Sequence, residues 1–159
     1  MIRPATPTDL PRILDLVHEL AAYEREPDAV TGTVDSYEQA LFPDNGNPVA
    51  WAHVAEQHGD LVGIAVWFRT FSTWTGRPGL WLEDLYVRPE HRGSGIGTAL
   101  MATLAQVCRE HGYPRMEWTV LDWNTPAQDV YRHLGAQPMQ DWTTQRLSGA
   151  ALHALAERG

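Results

Sequence analysis

The chain has 159 residues, 43% of them hydrophobic and 20% charged, with a net charge of −8 at neutral pH. That length can bury a proper core, that composition excludes a disordered chain, and the acidic balance, with no Lys/Arg cluster longer than a pair, excludes a nucleic-acid surface. No apolar run approaches the roughly 20 residues needed to span a bilayer, so we expect no membrane partner. Ile2–Pro4 reads as a first strand, which leaves no visible signal or transit peptide. Thr6 caps a helix with Pro7 at its first position, and Leu10, Ile13, Leu14, Val17, Leu20 and Ala21 share one face until the helix ends near Tyr23. An acidic stretch, Glu24–Asp28, and a loop follow, and then Thr33 caps a second helix, Val34–Leu41. After a turn-rich loop at Pro43–Pro48, Val49–Glu56 and Leu61–Ser72 read as strands joined by the hairpin signal Gln57-His58-Gly59-Asp60. Thr73–Gly79 reads as a turn and Leu80–Val87 as a central strand.

A glycine-rich turn, Arg92–Gly97, leads into a helix over Thr98–His111 that Gly112 stops. The single cysteine, Cys108, falls on the apolar face of that helix and reads as packing; alone, it can form no internal disulfide. Arg115–Leu121 predicts a strand, Asp122–Pro126 a turn, and Thr125 to about Leu134 a helix ended by Gly135-Ala136. Trp142–Leu147 predicts a last strand and Gly149–Glu157 a terminal helix. No repeat or linker interrupts the chain. The order predicts one domain over residues 1–159, an α/β fold with a single mixed, mostly antiparallel sheet and helices on both faces. Seven histidines, at 18, 53, 58, 91, 111, 133 and 153, fall in no metal-ligand pattern, and we assign no metal.

The strand, glycine turn and helix start at Leu80–Thr98 form an anion site. Backbone N–H groups of the turn and first helical turn point outward, and the helix dipole adds partial positive charge. The turn has no Gly-Lys-Ser/Thr, as a Walker loop requires, and its glycines at 93, 95 and 97 miss the dinucleotide spacing Gly-x-Gly-x-x-Gly. Arg92-Gly93-Ser94-Gly95-Ile96-Gly97 instead meets Arg/Gln-x-x-Gly-x-Gly/Ala. That pattern resembles the acetyl-CoA loop of the GCN5-related N-acetyltransferases (GNAT), and the element order resembles their fold. Ile2–Thr6 with Glu19–Glu24, Leu82–Val87, and Trp123-Asn124-x-Pro126 through Tyr131 to Gly135-Ala136 resemble the diamine (spermidine/spermine) and thialysine N-acetyltransferases. The resemblance runs from residue 2 to about 147.

The resemblance implies acetyl transfer from acetyl-CoA to a primary amine of a small di- or polyamine or a lysine analogue. Such an amine is almost fully protonated at pH 7, so the reaction needs a base, an oxyanion donor and an acid for the departing thiolate. The base implied is Glu83, acting through water, and the acid is Tyr131. By strand alternation Asp84 points to the face opposite Glu83 and does not share its role. Leu85, Tyr86 and Val87 are expected to offer backbone groups to the pantetheine arm, with the N–H of Leu85 or its neighbour as oxyanion donor. Arg92, Gly93, Ser94, Gly95, Ile96, Gly97 and Thr98 hold the pyrophosphate, and Asn124 holds the cofactor near Tyr131. Substrate selection is expected from Tyr23, Glu24, Glu26, Trp74, Glu83 and the last strand. The chain departs from the family at the spacing of Trp74 from the Glu83 strand, and at Gln145, where the diamine enzymes place tryptophan.

The family resemblance further implies a homodimer formed through the last strands, and the composition suits the cytoplasm. Two other readings stay open: acetylation of another amine (a peptide N-terminus, an amino acid or an aminoglycoside), or a non-catalytic acyl-CoA-binding module.

Overall fold

The strongest local signal in the chain, alternating β-branched and aromatic residues on both sides of His58-Gly59, builds the centre of the molecule. In the computed structural model, which describes residues 1–159, β2 (Trp51–Gln57) and β3 (Asp60–Ser72) pair antiparallel around that two-residue turn. His58 and Gly59 both take positive φ, 52° and 83°, the twist that closes a tight hairpin without splaying its arms. β1 (Ile2–Pro4) pairs antiparallel with β2, and β4 (Arg77–Val87) pairs antiparallel with β3 from end to end but for one residue. β5 (Met116–Glu117) runs parallel to β4, giving a five-stranded sheet in the order β1-β2-β3-β4-β5.

Two compact units divide the chain, Met1–Trp123 and Asn124–Gly159. The first holds the sheet with α1 (Leu10–Tyr23), α2 (Val34–Leu41) and α3 (Ile96–His111). The apolar face of α1 is buried through Leu10, Ile13, Leu16, Val17, Leu20 and Ala21; Leu16 takes the place expected of Leu14, which is only half-buried. All of these buried residues but Ala21 pack with Leu41 of α2 and with Val54, Ile64, Val66 and Tyr86 of the sheet in one core cluster. The alternate residues of β3 face the other way. A Cβ placed on Gly63 would lie 3.5 Å from Leu100 of α3. The sheet therefore carries α1 and α2 on one face and α3 on the other, with Leu100, Met101, Leu104 and Cys108 forming the buried side of α3.

Polar ties brace the elements that carry the site. Arg3 grips the buried Asp9 through both guanidinium nitrogens, at 2.7 and 2.9 Å, joining β1 to the start of α1. Arg88, just past β4, bonds Glu19 of α1 at 2.9 Å and Asp60 of the β2–β3 hairpin at 3.1 Å.

The second unit holds α4 (Thr125–His133) and α5 (Gly149–Ala156), and none of its residues is buried. Asn124 caps α4, its Oδ1 accepting the Ala127 N–H at 3.4 Å. Gly135, at φ 87°, closes the helix as the 6→1 bond from Ala136 N–H to the Tyr131 carbonyl forms at 3.0 Å.

Several sequence expectations need correction. α3 begins at Ile96, two residues before the expected Thr98, because Gly95 rather than Gly97 takes the left-handed turn at φ 85°. β4 begins at Arg77, so the preceding turn is shorter than Thr73–Gly79; the long β3 supplies partners out to Ser72↔Arg77. The expected strand Arg115–Leu121 shrinks to Met116–Glu117. Trp142–Leu147 forms no strand at all. A strand is stabilised by a partner's backbone, and alternating side chains alone supply none.

Candidate active site

β4 supplies the centre of the site through an irregularity. Val66 pairs with Asp84 but Trp67 pairs with Leu82, so Glu83 is an extra residue with no partner on β3. Such a bulge breaks the period-two alternation and re-aims side chains locally. The expectation that Asp84 stands apart from Glu83 is therefore wrong. Asp84 lies opposite Val66, on the face that carries α1 and α2, and the charge of Glu83 reaches it there. Burial, then Glu83, then Glu24 push its carboxyl up to about 6.

Glu24 enters from the end of α1. The helix closes with bonds from Arg25 N–H to the Ala22 carbonyl (3.1 Å) and from Glu26 N–H to the Ala21 carbonyl (2.8 Å), with Arg25 at φ 69° in the left-handed position usually held by glycine. That termination sets Glu24 half-buried, and its carboxyl is pushed up by desolvation. Tyr37 of α2 borders the same group: burial, then Asp84, then Glu83 raise its phenol. Sequence reasoning missed Asp84 and Tyr37. The adjacent acid at 84 was visible, but the bulge that turns it inward is a property of pairing with β3. Glu83 itself is exposed and accepts the Trp81 indole N–H at 3.0 Å.

The anion cradle follows directly. Gly93 and Gly95 take φ 76° and 85°, and a Cβ on either would meet nothing within 4 Å. Space therefore lies open above both glycines. The first intrahelical bond of α3 runs from Ala99 N–H to the Gly95 carbonyl at 2.9 Å, so the amides of Ile96, Gly97 and Thr98 precede the ladder. Ser94 Oγ turns back to the His91 carbonyl at 2.6 Å. Arg92 also turns inward: its Nε donates to the Val87 carbonyl at 2.8 Å, and its guanidinium lies over Tyr23 (4.6 Å) and Tyr86 (5.5 Å). The turn thus presents backbone N–H groups, which suit a pyrophosphate.

Beyond Trp81 no strand pairs with the outer edge of β4, because β5 contacts it only at Leu80 and Trp81. Leu85, Tyr86 and Val87 lie on that free edge, between the acidic group and the cradle. An amide-bearing arm can add there as a pseudo-strand. An aromatic and cationic chain links the two ends of the site. Arg25 sits 4.5 Å over Trp123, Trp123 lies 5.7 Å from Tyr23, and Tyr23 lies under Arg92 of the cradle.

The structure brings Tyr23, Glu24, Glu83 and Asp84 into this region of the first unit. Glu26 is exposed just past the helix end. Trp74 is elsewhere: it is 85% exposed at the tip of the β3–β4 hairpin, beyond the Ser72–Arg77 pair. Six strand positions from Arg77 to Glu83 put about 20 Å between that tip and the acidic group. Asn124 and Tyr131 belong to the second unit, as the cap of α4 and a residue of its second turn.

Comparison with known proteins bears on this geometry. A sequence profile of the acetyltransferase (GNAT) family matches residues 14–136. The chain is similar to thialysine N-epsilon-acetyltransferase of Bos taurus, 38% identical over 169 residues that cover 98% of this chain and 96% of the relative. It is 28% identical to L-ornithine N5-acetyltransferase of Arabidopsis thaliana, over 97% of this chain and 86% of that one. Among solved structures, an integron cassette protein of V. cholerae shares the fold with a TM-score of 0.81 at 23% identity, covering 99% of this chain and 97% of its own.

Proposed function

The chain belongs to the GNAT acetyltransferase family and is an amine N-acetyltransferase, and from that premise we propose that its acceptor is a small amine carrying a second charge, a lysine analogue or a di- or polyamine. The observation that carries this reading is the convergence of Glu24, Glu83 and Asp84 beside the free edge of β4. Two half-buried carboxylates, Glu24 and Asp84, with the exposed Glu83 beside Asp84, favour a cationic guest. The names of the similar proteins support the lysine-analogue arm, since thialysine and L-ornithine are both amino acids with a side-chain amine.

The family's co-substrate, acetyl-CoA, supplies the activated acetyl group. The backbone amides from Gly93 to Thr98 bind its pyrophosphate, and the edge Leu85–Val87 aligns its arm. Glu24 holds the distal ammonium. Glu83, through water, accepts the proton of the reacting one, and Asp84 assists. An ordinary aspartate lies more than six pKa units below an alkylammonium; raised to about 6, Asp84 closes roughly two of them. Tyr131 returns a proton to the departing thiolate, with Asn124 beside it. Residues 1–159 act as one catalytic domain, the active form is a homodimer in which Trp142–Leu147 finds a strand partner, and the cytoplasm is the site of action.

Thiol release from acetyl-CoA with a panel of acceptors tests the reading: a diamine, a lysine analogue, a length-matched monoamine, a peptide with a free N-terminus and an aminoglycoside, at two salt concentrations. We expect the first two to exceed the monoamine by about 10–100-fold in kcat/KM. The margin should shrink in salt and weaken in Glu24→Gln. Equal rates for all acceptors would leave the family assignment standing and end the dication reading; binding without turnover of any would point to an acyl-CoA module.

A further inference from the structure

A second cavity lies away from the acidic group, where the short β1 ends and uncovers β2. Its volume is about 300 Å³, at the lower end of the range that holds small ligands. Trp51, His53 and Trp67 form its sheet wall, Leu41 and Phe42 close it from α2, and the last turn of α3 borders it. The cradle at Gly95 stands at the other end of α3, sixteen residues or about 24 Å away.

The chemistry of this cavity is unlike that of the surface around it. The protein carries a charge of −8, yet no carboxylate lines the cavity, while Arg69 and two histidines do. Arg69 lies over the Trp51 ring at 5.2 Å and has no carboxylate partner. Trp51 in turn stacks on Trp67 at 4.7 Å and 20°.

His53 is only 8% exposed. Its Nδ1 lies 3.3 Å from the Trp67 indole nitrogen. An indole N–H can only donate, so Nδ1 is the acceptor and the proton of the neutral ring sits on Nε2. Burial holds the ring neutral by lowering its pKa. No bond is made by Nε2, and no buried side-chain nitrogen or oxygen in the protein lacks a partner. Nε2–H therefore keeps an open path, and the cavity that His53 lines is where it opens. A histidine so deeply buried in the wall of an aromatic-lined space, with Nε2–H unpaired and a guanidinium in the same lining, is matched by an acceptor of negative charge on a flat apolar body.

We propose that this cavity is a second binding site, separate from the acetyl-transfer site, that takes a small planar carboxylate: its ring against the Trp51–Trp67 wall, its carboxylate accepting from His53 Nε2–H and facing Arg69. Benzoate is the probe, with benzylamine and benzyl alcohol as cationic and neutral counterparts of the same shape, added to the full-length 15N-labelled chain. Benzoate should produce saturable shifts of the Trp51 and Trp67 indole N–H signals while the Gly93 and Gly95 amides stay put. It should bind about tenfold more tightly than benzylamine. Arg69→Ala, an exposed substitution that leaves the fold intact, should weaken benzoate about three- to fivefold, the reach of an exposed ion pair. His53→Phe should abolish saturable benzoate binding; the thermal melt of this variant shows whether it is folded, and Arg69→Ala carries the test if it is not. Non-saturable shifts, equal binding of benzoate and benzylamine, responses centred on Gly95, or an Arg69→Ala variant that binds benzoate as the wild type does would each overturn the proposal.

Discussion

Replacing Asp84 with Asn should stabilise the protein while it damages the reaction. In the folded chain the carboxyl of Asp84 rises from 3.8 to about 6. Between those values the folded chain holds a proton that the unfolded chain has released. Stability therefore falls as pH rises through that window, and it stays lowered above it. About two units at 1.36 kcal/mol each is ~3 kcal/mol; relaxation and water entry at a half-buried site reduce this to about 1–2 kcal/mol. Asparagine has the same shape and no charge. At pH 8 the variant should melt roughly 2–8 °C higher than the wild type. At pH 5 the gap should shrink by about half, because the wild-type carboxyl has taken up its proton. Turnover of a diamine should fall at least about tenfold over the same substitution. Melting curves at the two pH values, run beside thiol release, measure both. A variant no more stable than wild type at pH 8, or a gap of equal size at both, would refute the burial of a charged Asp84 against Glu83 and Glu24.

Gly95→Ala meets no neighbour but must hold φ near 85°; it should cost about 1–2 kcal/mol in melts, whereas Gly95→Asp should also abolish acetyl-CoA binding in calorimetry. Tyr131→Phe keeps the ring and removes the hydroxyl; turnover should fall roughly 10²–10⁴-fold with acetyl-CoA affinity little changed, and full activity across pH would remove Tyr131 as the acid. Asp9 is held down to about 2 by its bonds to Arg3, so its contribution is present above 3.8 and is lost as pH falls toward 2. Asp9→Asn should therefore destabilise the chain by about 1–2 kcal/mol at pH 7, read as a lower midpoint in urea that converges with wild type in acid.

Much of this protein is local, and what is local was legible in the chain. The apolar stripe of α1, the His58-Gly59 turn, the Thr33 cap with its Ser36 N–H bond at 3.2 Å and the glycines ahead of α3 each depend on neighbours within a few residues. The motif Arg92–Gly97 carried the family for the same reason: a phosphate cradle is built from consecutive backbone amides. Tertiary pairing decided the rest. Whether Arg115–Leu121 and Trp142–Leu147 become strands depends on another strand's edge, and β5 is paired over only two residues. The side chain of Arg92 left the cradle for Tyr23 and Tyr86, because rings from α1 and β4 meet only in the folded chain. Asp84 is the sharpest case. Period-two alternation turned it away from Glu83, and a single unpaired residue in the β3–β4 register turned it back, because a bulge exists only between two strands.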